Sequence, residues 1–390
     1  MKKGLVVNRK ESERAFLVAV EIRTRKGVWS VESSLDELAR LAESAGAEVV
    51  GRMTQKLSTP NKNTYINKGK LQELVSLKRS KNVNVFIFDD ELTPLQQSNL
   101  EKESKVKVID RAALILDIFA KRARTREGQL QVELAQMQYL LPRLTGQWSH
   151  LDRLAGGIGT RGPGESELET DRRLIEKKVH NLRAKLEEVR KHRELYRQKR
   201  RRTGIPVVAL VGYTNAGKST LFNRIADSDV LTRDKLFSTL DPTTRRLRLS
   251  DNQTVLITDT VGFIRKLPPA LISAFRATLE ELSEATILLH VVDLTSHNAA
   301  EQCQTVEDIL TDLGVAQKPR LTLLNKIDLL LDNKQEWNEE KAIDYFVNQS
   351  GTSDQNTLFT SAVRGWGLIT LRQRIISLLN EGSEVAVSTK

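Results

Sequence analysis

Residues 212–219 restrict the possible folds of this 390-residue chain more than any other segment. They read Gly-Tyr-Thr-Asn-Ala-Gly-Lys-Ser, which matches the pattern G-x-x-x-x-G-K-[ST], and they follow the apolar stretch 205–211 and precede a helical pattern. In this strand–loop–helix context, the backbone N–H groups of the loop and the positive end of the helix surround phosphate groups. The segment therefore predicts an α/β domain that binds a nucleotide by its phosphates, and it leaves ATP and GTP equally possible.

A tetrapeptide further along the chain indicates which base is bound. Residues 325–328 read Asn-Lys-Ile-Asp and follow the apolar stretch 320–324. The carboxylate of Asp328 can accept hydrogen bonds from N1–H and the 2-amino group of guanine, whereas adenine has neither donor. We expect Asn325 to support the phosphate loop and the purine, and the aliphatic stem of Lys326 to cover the base. The sequence therefore predicts guanine.

Residues 259–262, Asp-Thr-Val-Gly, predict contacts to magnesium and to the γ-phosphate, and they also follow an apolar strand pattern. We expect Asp259 to hold Mg²⁺ through water and the Gly262 N–H to meet the γ-phosphate. Lys218 is expected to reach the β- and γ-phosphates, and the Ser219 hydroxyl to bind Mg²⁺ directly. The expected ligands are therefore GTP or GDP together with Mg²⁺.

A threonine between these motifs is expected to complete the metal shell when GTP is bound. Thr239, within the sequence Phe-Ser-Thr-Leu-Asp-Pro, is the favoured candidate, and Thr243 and Thr244 are alternatives. A turn at residues 361–363 is expected to contact guanine O6. The residues predicted to bind GTP are Gly212, Tyr213, Thr214, Asn215, Ala216, Gly217, Lys218, Ser219, Phe237, Ser238, Thr239, Leu240, Asp241, Asp259, Thr260, Val261, Gly262, Asn325, Lys326, Ile327, Asp328, Ser361, Ala362 and Val363.

Phe263 occupies the position at which better-known GTPases carry a glutamine that positions the attacking water. A phenyl ring cannot orient water. We therefore expect slow intrinsic hydrolysis, with water positioning supplied by another group or by a partner. The predicted catalytic groups are Lys218, Thr239 and Gly262.

The sequence before residue 205 predicts a second α/β domain followed by two long helices. Strand patterns that alternate with helical patterns indicate a parallel sheet. The N-terminal strands are expected at 15–22, 47–53, 83–88 and 106–109, and the helices at 32–45, 68–80, 93–104 and 111–122. The C-terminal strands are expected at 205–211, 253–258, 286–292, 320–324 and 357–359. The domain boundaries predicted from these patterns are 1–122, 123–202 and 203–380, with a tail at 381–390.

Two apolar seams of about 3.5-residue period predict an antiparallel helical hairpin in residues 123–202. A coiled coil with another protein is the alternative, and Pro142 is expected to kink the first helix. The first seam consists of Leu130, Leu134, Met137, Leu141 and Leu144. The second consists of Leu168, Ile175, Leu182, Val189 and Tyr196.

The segment between the two helices, 145–167, is expected to be a glycine-rich loop that binds a partner, although a flexible connector is the simpler alternative. Five glycines fall between 156 and 164, a density that opposes regular structure. Arg153, Arg161 and Trp148 have the chemistry for phosphate contact and base stacking. They are therefore the candidate RNA contacts.

The charge distribution also favours a polyanionic partner. Residues 1–202 contain 42 Lys and Arg and 27 Asp and Glu, a net charge of +15, whereas the rest of the chain carries −4. A solvated helix face is the alternative explanation. No apolar stretch approaches the length of a membrane span, no secretory signal is recognisable, and a single cysteine precludes an intrachain disulfide. These features are expected of a cytoplasmic protein.

The sequence GGIGTRGPGESELETDRR, followed by GYTNAGKST, resembles the hallmark of the HflX family. The G motifs resemble those of translation-factor-related GTPases that carry a hydrophobic residue in place of the catalytic glutamine. The resemblance, which covers residues 15–380, implies a cytoplasmic GTPase that binds the rRNA and protein of the large ribosomal subunit through its N-terminal region. It further implies a role in ribosome splitting, rescue or biogenesis, with the glycine loop directed at rRNA. Such a protein is expected to be monomeric when free.

Two other functional hypotheses remain open from the sequence. The protein could be a nucleotide-gated RNA-binding or assembly-scaffold protein in which hydrolysis is incidental. It could also be an ATP-driven RNA remodeller, which Asp328 argues against. Acceleration of GTP turnover by ribosomal subunits distinguishes the first hypothesis from both.

Overall fold

The computed structural model describes residues 13–22, 29–148, 163–202, 204–226, 236–237, 240–250, 253–267, 281–332, 335–351 and 354–388. The chain forms two compact units. The first contains Met1–Ile118 and Gln136–Lys177, and the second contains Phe119–Ala135 and Lys178–Lys390. The domain boundaries drawn from the sequence divide the chain differently and stay a prediction.

The first unit is built on a fully parallel four-stranded sheet in the order β2-β1-β3-β4. Its strands are β1 (Arg14–Ile22), β2 (Glu48–Leu57), β3 (Val85–Phe88) and β4 (Lys107–Asp110). The helices of this region are α1 (Val31–Ala45), α2 (Lys68–Lys81), α3 (Pro94–Ser104) and α4 (Arg111–Arg122). The predicted alternation of strand and helix, and the parallel sheet that follows from it, are confirmed.

Local sequence explains where two of these helices, α1 and α3, begin. The Ser30 hydroxyl accepts from the Ser33 N–H at 3.0 Å and caps α1. Thr93 and Gln96 cap α3 reciprocally: the Gln96 N–H donates to the threonine hydroxyl at 3.3 Å, and the Thr93 N–H donates to the glutamine side chain at 3.0 Å. Pro94 then occupies the first helical position, where its missing N–H costs nothing.

Two long helices follow, α5 (Arg126–Trp148) and α6 (Pro163–Arg202). Within the second unit, Glu133 of α5 pairs with Lys178 of α6 at 2.8 Å, and Glu127 pairs with Arg193 at 2.8 Å. The residue numbers rise along one helix as they fall along the other, so the helices are antiparallel. Leu182 is 4% exposed at this contact. The predicted antiparallel hairpin is confirmed.

The predicted bounds of the loop between these helices, 145–167, were too wide. Residues 145–148 belong to α5, and residues 163–167, with Gly164, belong to α6. Pro163 at the first helical position has a φ angle already suited to a helix, and acidic residues in the first turn favour its positive end. These signals outweigh the cost of one helical glycine. The rest of the loop, with Arg153 and Arg161, lies outside the described residues.

The second unit contains a six-stranded sheet in the order β10-β9-β8-β5-β7-β6. The strands are β5 (Val207–Gly212), β6 (Thr243–Arg248), β7 (Thr254–Asp259), β8 (Ile287–Asp293), β9 (Arg320–Asn325) and β10 (Thr357–Phe359). All pairs are parallel except β6 with β7. The helices are α7 (Lys218–Ala226), α8 (Ala299–Asp312), α9 (Glu339–Ser350) and α10 (Leu368–Ser388), with a short 3-10 helix at Ile327–Leu329. Because β5, β7 and β9 run parallel, the motifs at their carboxyl ends meet at one edge of the sheet.

Two features of this unit were not predicted. Strand β6 was missed because it is an edge strand with a mostly polar sequence, in which only Leu247 is buried. Helix α10 runs to Ser388, into the segment 381–390 that the sequence predicts to be a tail. There Glu381 pairs with Arg374 at 3.0 Å and accepts from the Ser377 hydroxyl at 2.9 Å, so consecutive turns are joined on one face. In the part of the chain that the structure describes, no helix has both the length and the apolarity of a membrane span.

Candidate GTP-binding site

The phosphate loop leaves strand β5 at Gly212 and enters helix α7 at Lys218. Gly212, Asn215 and Gly217 have φ angles of 147°, 64° and 97°, so the loop passes repeatedly through conformations that favour glycine. Space is also restricted, since a Cβ on Gly217 would lie 2.3 Å from the Asn325 side-chain nitrogen. A glycine-rich loop in such conformations can direct its backbone N–H groups at a bound phosphate.

Lys218 is buried at the floor of this loop. Its ammonium group donates to the carbonyls of Gly212 at 3.1 Å and Tyr213 at 2.7 Å. Burial lowers the pKa of Lys218 to about 8, and the neighbouring Asp259 carboxylate opposes part of that shift. A phosphate group bound here would favour the charged ammonium, since opposite charges attract strongly where water is excluded.

Ser219 and Asp259 form the second polar pair of the loop. The serine hydroxyl donates to the Asp259 carboxylate at 2.6 Å, and Asp259 is 0% exposed. A hydroxyl and a carboxylate are the hard oxygen ligands that Mg²⁺ prefers, and one or two of them beside nucleotide phosphates is the usual protein contribution. These two residues therefore fit the predicted magnesium site.

Residues 260–263 lie directly against the phosphate loop. The Phe263 N–H donates to the Gly212 carbonyl at 3.1 Å, and the Thr214 N–H donates to the Phe263 carbonyl at 2.7 Å. A Cβ on Gly262 would lie 2.8 Å from the Thr214 Cα and 3.0 Å from the Lys218 ammonium nitrogen, so only glycine fits. The Phe263 ring is 2% exposed. The side chain in the glutamine position is therefore apolar and packed away from solvent.

Asn325 connects three of the motifs. Its amide nitrogen donates to the Ala216 carbonyl of the phosphate loop at 2.9 Å. Its amide oxygen accepts from the Ala362 N–H, in the turn that follows β10, at 3.0 Å. One buried side chain thus fixes the base-reading segment relative to the phosphate loop and to the predicted guanine-O6 turn.

Lys326 has a partner that the sequence did not suggest. Its ammonium pairs with the Asp293 carboxylate at 2.7 Å, and the other carboxylate oxygen accepts from the N–H of Thr295 at 3.0 Å and from its hydroxyl at 2.6 Å. Asp293 ends β8 and pairs in register with Asn325. The only sequence signal was an aspartate directly after an apolar strand, at the same sheet edge as the motifs.

The structure brings the phosphate loop, residues 259–263, the 3-10 helix with the half-buried Asp328, and the turn at 361–363 to the same edge of the sheet. In that turn Ser361 is buried and Val363 is 69% exposed. Ser238 and Thr239 lie outside the described residues. Trp148 ends helix α5, and its side chain is also outside the described part.

The residues around Thr239 are positioned by contacts that sequence reasoning missed. Phe237 packs edge-on against Phe119, with ring centroids 4.5 Å apart. The Asp241 carboxylate accepts hydrogen bonds from residues just before helix α5. Of the two alternatives to Thr239, Thr243 pairs with Asp259 in the β6–β7 ladder, and the Thr244 hydroxyl is hydrogen-bonded to that of Thr258 at 2.9 Å. Both alternatives are thus parts of a strand.

Three family models match the chain in succession. Residues 32–120 match "GTP-binding GTPase N-terminal", residues 122–200 match "GTP-binding GTPase Middle Region", and residues 207–326 match "50S ribosome-binding GTPase". The last of these covers the phosphate loop, residues 259–262 and the first half of the base-reading tetrapeptide.

Curated relatives match over most of their length. The GTPase HflX of Caldanaerobacter subterraneus subsp. tengcongensis is 54% identical over 321 residues, which cover 82% of this chain and 74% of that protein. The GTPase HflX of Escherichia coli K12 is 42% identical, with coverage of 97% and 85%. Among solved structures, a GTP-binding protein from the hyperthermophilic archaeon Sulfolobus solfataricus in complex with GDP is 26% identical, covers 94% of this chain and 99% of that chain, and gives a TM-score of 0.47.

Proposed function

This chain is a GTPase that belongs to the HflX family, and we propose that it uses GTP to control its association with the large ribosomal subunit. The association would serve ribosome splitting and rescue, or ribosome biogenesis, in the cytoplasm. The observation that carries this proposal is the strongly basic two-helix hairpin that precedes the GTP-binding domain. Helix α6 alone contains 14 Lys or Arg against eight Asp or Glu.

The electrostatics of the hairpin favour RNA over an acidic protein. Basic side chains are exposed between residues 172 and 191 of α6, and they include Arg173, Lys177, Arg183, Lys185 and Lys191. A long helix with a narrow buried seam presents such residues to solvent, where they can contact the regularly spaced phosphates of a nucleic acid. The family model that matches residues 207–326 is described as ribosome-binding, which supports the same partner.

The GTP site explains how binding and hydrolysis would proceed. The loop N–H groups and the Lys218 ammonium hold the β- and γ-phosphates and stabilise the charge that develops on them. Ser219 directly, and Asp259 through water, would hold Mg²⁺, which would supply neutralisation of the phosphate charge. Gly262 lies beside the lysine, and its N–H would donate a hydrogen bond to the γ-phosphate. No polar side chain occupies the Phe263 position, so we propose that the ribosomal partner completes the positioning of water.

Sedimentation with separated ribosomal subunits tests the proposal. The protein with a non-hydrolysable GTP analogue should pellet with large subunits, and the protein with GDP should pellet less. Small subunits are the matched control. Large subunits should also raise the GTP turnover rate well above the intrinsic rate. Equal binding to both subunits, or binding that ignores the nucleotide, contradicts the proposal.

A second candidate is a nucleotide-gated RNA-binding or assembly-scaffold protein in which hydrolysis is incidental. The apolar, buried Phe263 favours it, because such a site hydrolyses GTP slowly without help. The two candidates predict different kinetics. A scaffold binds large subunits in the GTP form without any change in the turnover rate, whereas a ribosome-acting GTPase is accelerated by them.

A further inference from the structure

We propose that Thr125, at the N-terminus of helix α5, is a positioning residue for the GTPase reaction, because it fixes Asp241 just before strand β6. One Asp241 carboxylate oxygen accepts from the Arg124 N–H at 2.8 Å and from the Thr125 N–H at 2.9 Å. The other oxygen accepts from the Thr125 hydroxyl. The carboxylate is thus held by three donors that lie outside the motifs of the GTP site.

Thr125 is also the cap of α5, which makes the contact geometrically specific. Its hydroxyl oxygen accepts from the Gly128 N–H at 3.0 Å while its hydrogen is donated to Asp241. A carboxylate beside a helix N-terminus is further favoured by the partial positive charge there. One hydroxyl therefore joins the first turn of α5 to Asp241.

Gly128 provides the space for this contact. A Cβ at this position would lie 2.3 Å from the nearer Asp241 carboxylate oxygen and 3.2 Å from the Thr125 hydroxyl oxygen. Glycine disfavours helix formation, and in the first turn of α5 it permits the close approach of a carboxylate from another segment. The helix sequence is therefore suited to receive Asp241.

The chain is also fixed four residues before Asp241. Phe237 has a φ of 57°, which is unfavourable for a bulky side chain. It is held there by packing of its ring against Phe119 and by the bond from its N–H to the Thr214 hydroxyl at 3.0 Å. Phe119 and Phe237 are 1% and 2% exposed. Surrounding contacts thus hold a strained residue next to the phosphate loop.

These contacts are connected to the predicted magnesium and phosphate contacts through the polypeptide chain. Asp241 is two residues after Thr239, the predicted magnesium ligand, and two residues before β6, which pairs with the strand that ends at Asp259. A group that fixes Asp241 therefore acts at the start of β6, whose first residue, Thr243, pairs with Asp259. Because coupling between sites is reciprocal, a change at Asp241 on GTP binding must also act on the N-terminus of α5. Any further link from the N-terminus of α5 to ribosome contact rests on the proposed function.

The test uses the full-length protein without ribosomes and compares Thr125→Val with Thr125→Ser. Valine keeps the shape of threonine and removes the hydroxyl, whereas serine restores the hydroxyl. Thr93→Val is the matched control, because Thr93 caps α3 in the same way and that cap lies in the first unit. Gly128→Ala is a second variant, in which the added methyl group displaces the Asp241 carboxylate by steric conflict.

Four quantities are measured: amide hydrogen exchange of a peptide covering 236–248, single-turnover GTP hydrolysis, the GDP dissociation rate, and the thermal midpoint. We expect Thr125→Val and Gly128→Ala to speed exchange and slow hydrolysis, each by roughly tenfold, as for loss of a hydrogen bond to a charged group. The GDP dissociation rate should stay within about twofold of wild type, because the phosphate-loop and base contacts are intact. Thr125→Ser and Thr93→Val should match wild type in exchange and hydrolysis.

Unchanged exchange and hydrolysis in Thr125→Val overturn the inference. A loss in Thr93→Val equal to that in Thr125→Val also overturns it, since the effect would then be general destabilisation. Because no ribosome is present, these outcomes are independent of whether the protein binds the large subunit. If Thr125→Val behaves as expected and the wild-type protein fails to sediment with large subunits, the positioning role of Thr125 stands and the proposed partner is wrong.

Discussion

We propose that base selection rests on a single carboxylate. Asp328 lies in the 3-10 helix directly after Asn325 and Lys326, two side chains that are fixed by Ala216, Ala362 and Asp293. In Asp328→Asn an amide N–H faces the guanine donors, so we expect GDP affinity to fall by at least about 100-fold. Xanthosine diphosphate, whose 2-oxo group can accept from the amide, should become the preferred ligand. Fluorescent-nucleotide titration measures both affinities.

The control for this substitution is Asp332→Asn, which makes the same chemical change at an exposed position four residues later. It should bind GDP as wild type does. If the Asp328 variant retains normal GDP affinity, or if the wild-type protein prefers ATP, guanine is not read by this side chain.

Nucleotide affinity should depend on pH through Lys218. Its pKa is lowered to about 8 in the nucleotide-free protein by burial, and bound phosphate must raise that pKa again. Binding therefore takes up a proton above pH 8, and affinity should fall by up to about tenfold per pH unit as the pH rises beyond 8. Below pH 8 the lysine is already charged, and its contribution to the slope disappears.

Lys218→Arg is the control, because a guanidinium stays charged throughout this range. This variant also changes the absolute affinity for GDP. The quantity compared is therefore the slope of log affinity against pH, measured by titration from about pH 7 to pH 9. Ionisation of guanine itself contributes equally to both proteins. Identical slopes for lysine and arginine would contradict proton uptake at Lys218.

The site residues that sequence reasoning could find are those within motifs of fixed spacing. Lys218 and Ser219 follow from the spacing of eight consecutive residues, and Asp259 from its place at the end of a strand. Asp293 and Thr125 could not be found in this way. Their partners, Lys326 and Asp241, lie 33 and 116 residues away in the chain, and only the fold brings them together.

At the scale of elements, the hairpin offers a direct test of which residues stabilise it. Leu182 of α6 is 4% exposed, whereas Leu195 on the same helix is 63% exposed. Leu182→Ala should therefore lower the free energy of unfolding by about 2–4 kcal/mol, the cost of reduced burial plus a cavity. Leu195→Ala should change it by no more than about 0.5 kcal/mol.

Urea unfolding followed by far-ultraviolet circular dichroism measures these changes as shifts of the transition midpoint. The comparison with Leu195→Ala removes any effect of leucine on helix propensity, since both variants exchange the same residues in one helix. Equal midpoints for the two variants would mean that Leu182 is not part of a stabilising interface between α5 and α6.

Two kinds of sequence pattern make most elements predictable, and polar or glycine-rich sequence explains the exceptions. The eight N-terminal elements are predictable from short apolar segments that alternate with longer helical segments, and the two long helices from apolar seams of about 3.5-residue period. Strand β6 was missed because an edge strand can be polar on both faces, as Arg245 and Arg246 show. The predicted start of α6 is too late because the glycine density at 156–164 obscures Pro163, a signal for the beginning of a helix.

At the scale of the molecule, charge is distributed unequally along the sequence. The half with net charge −4 carries the motifs of the GTP site, and the half with +15 carries the hairpin and its connecting loop. The proposed function therefore assigns RNA contacts and GTP contacts to separate segments of the sequence. It predicts that RNA contacts can be removed while GTP binding is preserved.

The last prediction concerns the loop that joins α5 and α6. Deleting residues 155–164, or replacing Arg153 and Arg161 by alanine, should weaken binding to the large subunit and leave GDP affinity unchanged. Removing one phosphate contact should reduce the slope of log K against log salt by about 0.7–0.9, so binding is measured over a range of salt concentrations. Arg52→Ala with Arg79→Ala is the matched control, because it removes two exposed arginines elsewhere in the basic half. If the loop variants bind and split ribosomes as well as wild type does, or if the control pair weakens binding equally, the loop is not the RNA-contacting element, and the overall charge of this half is the cause of binding.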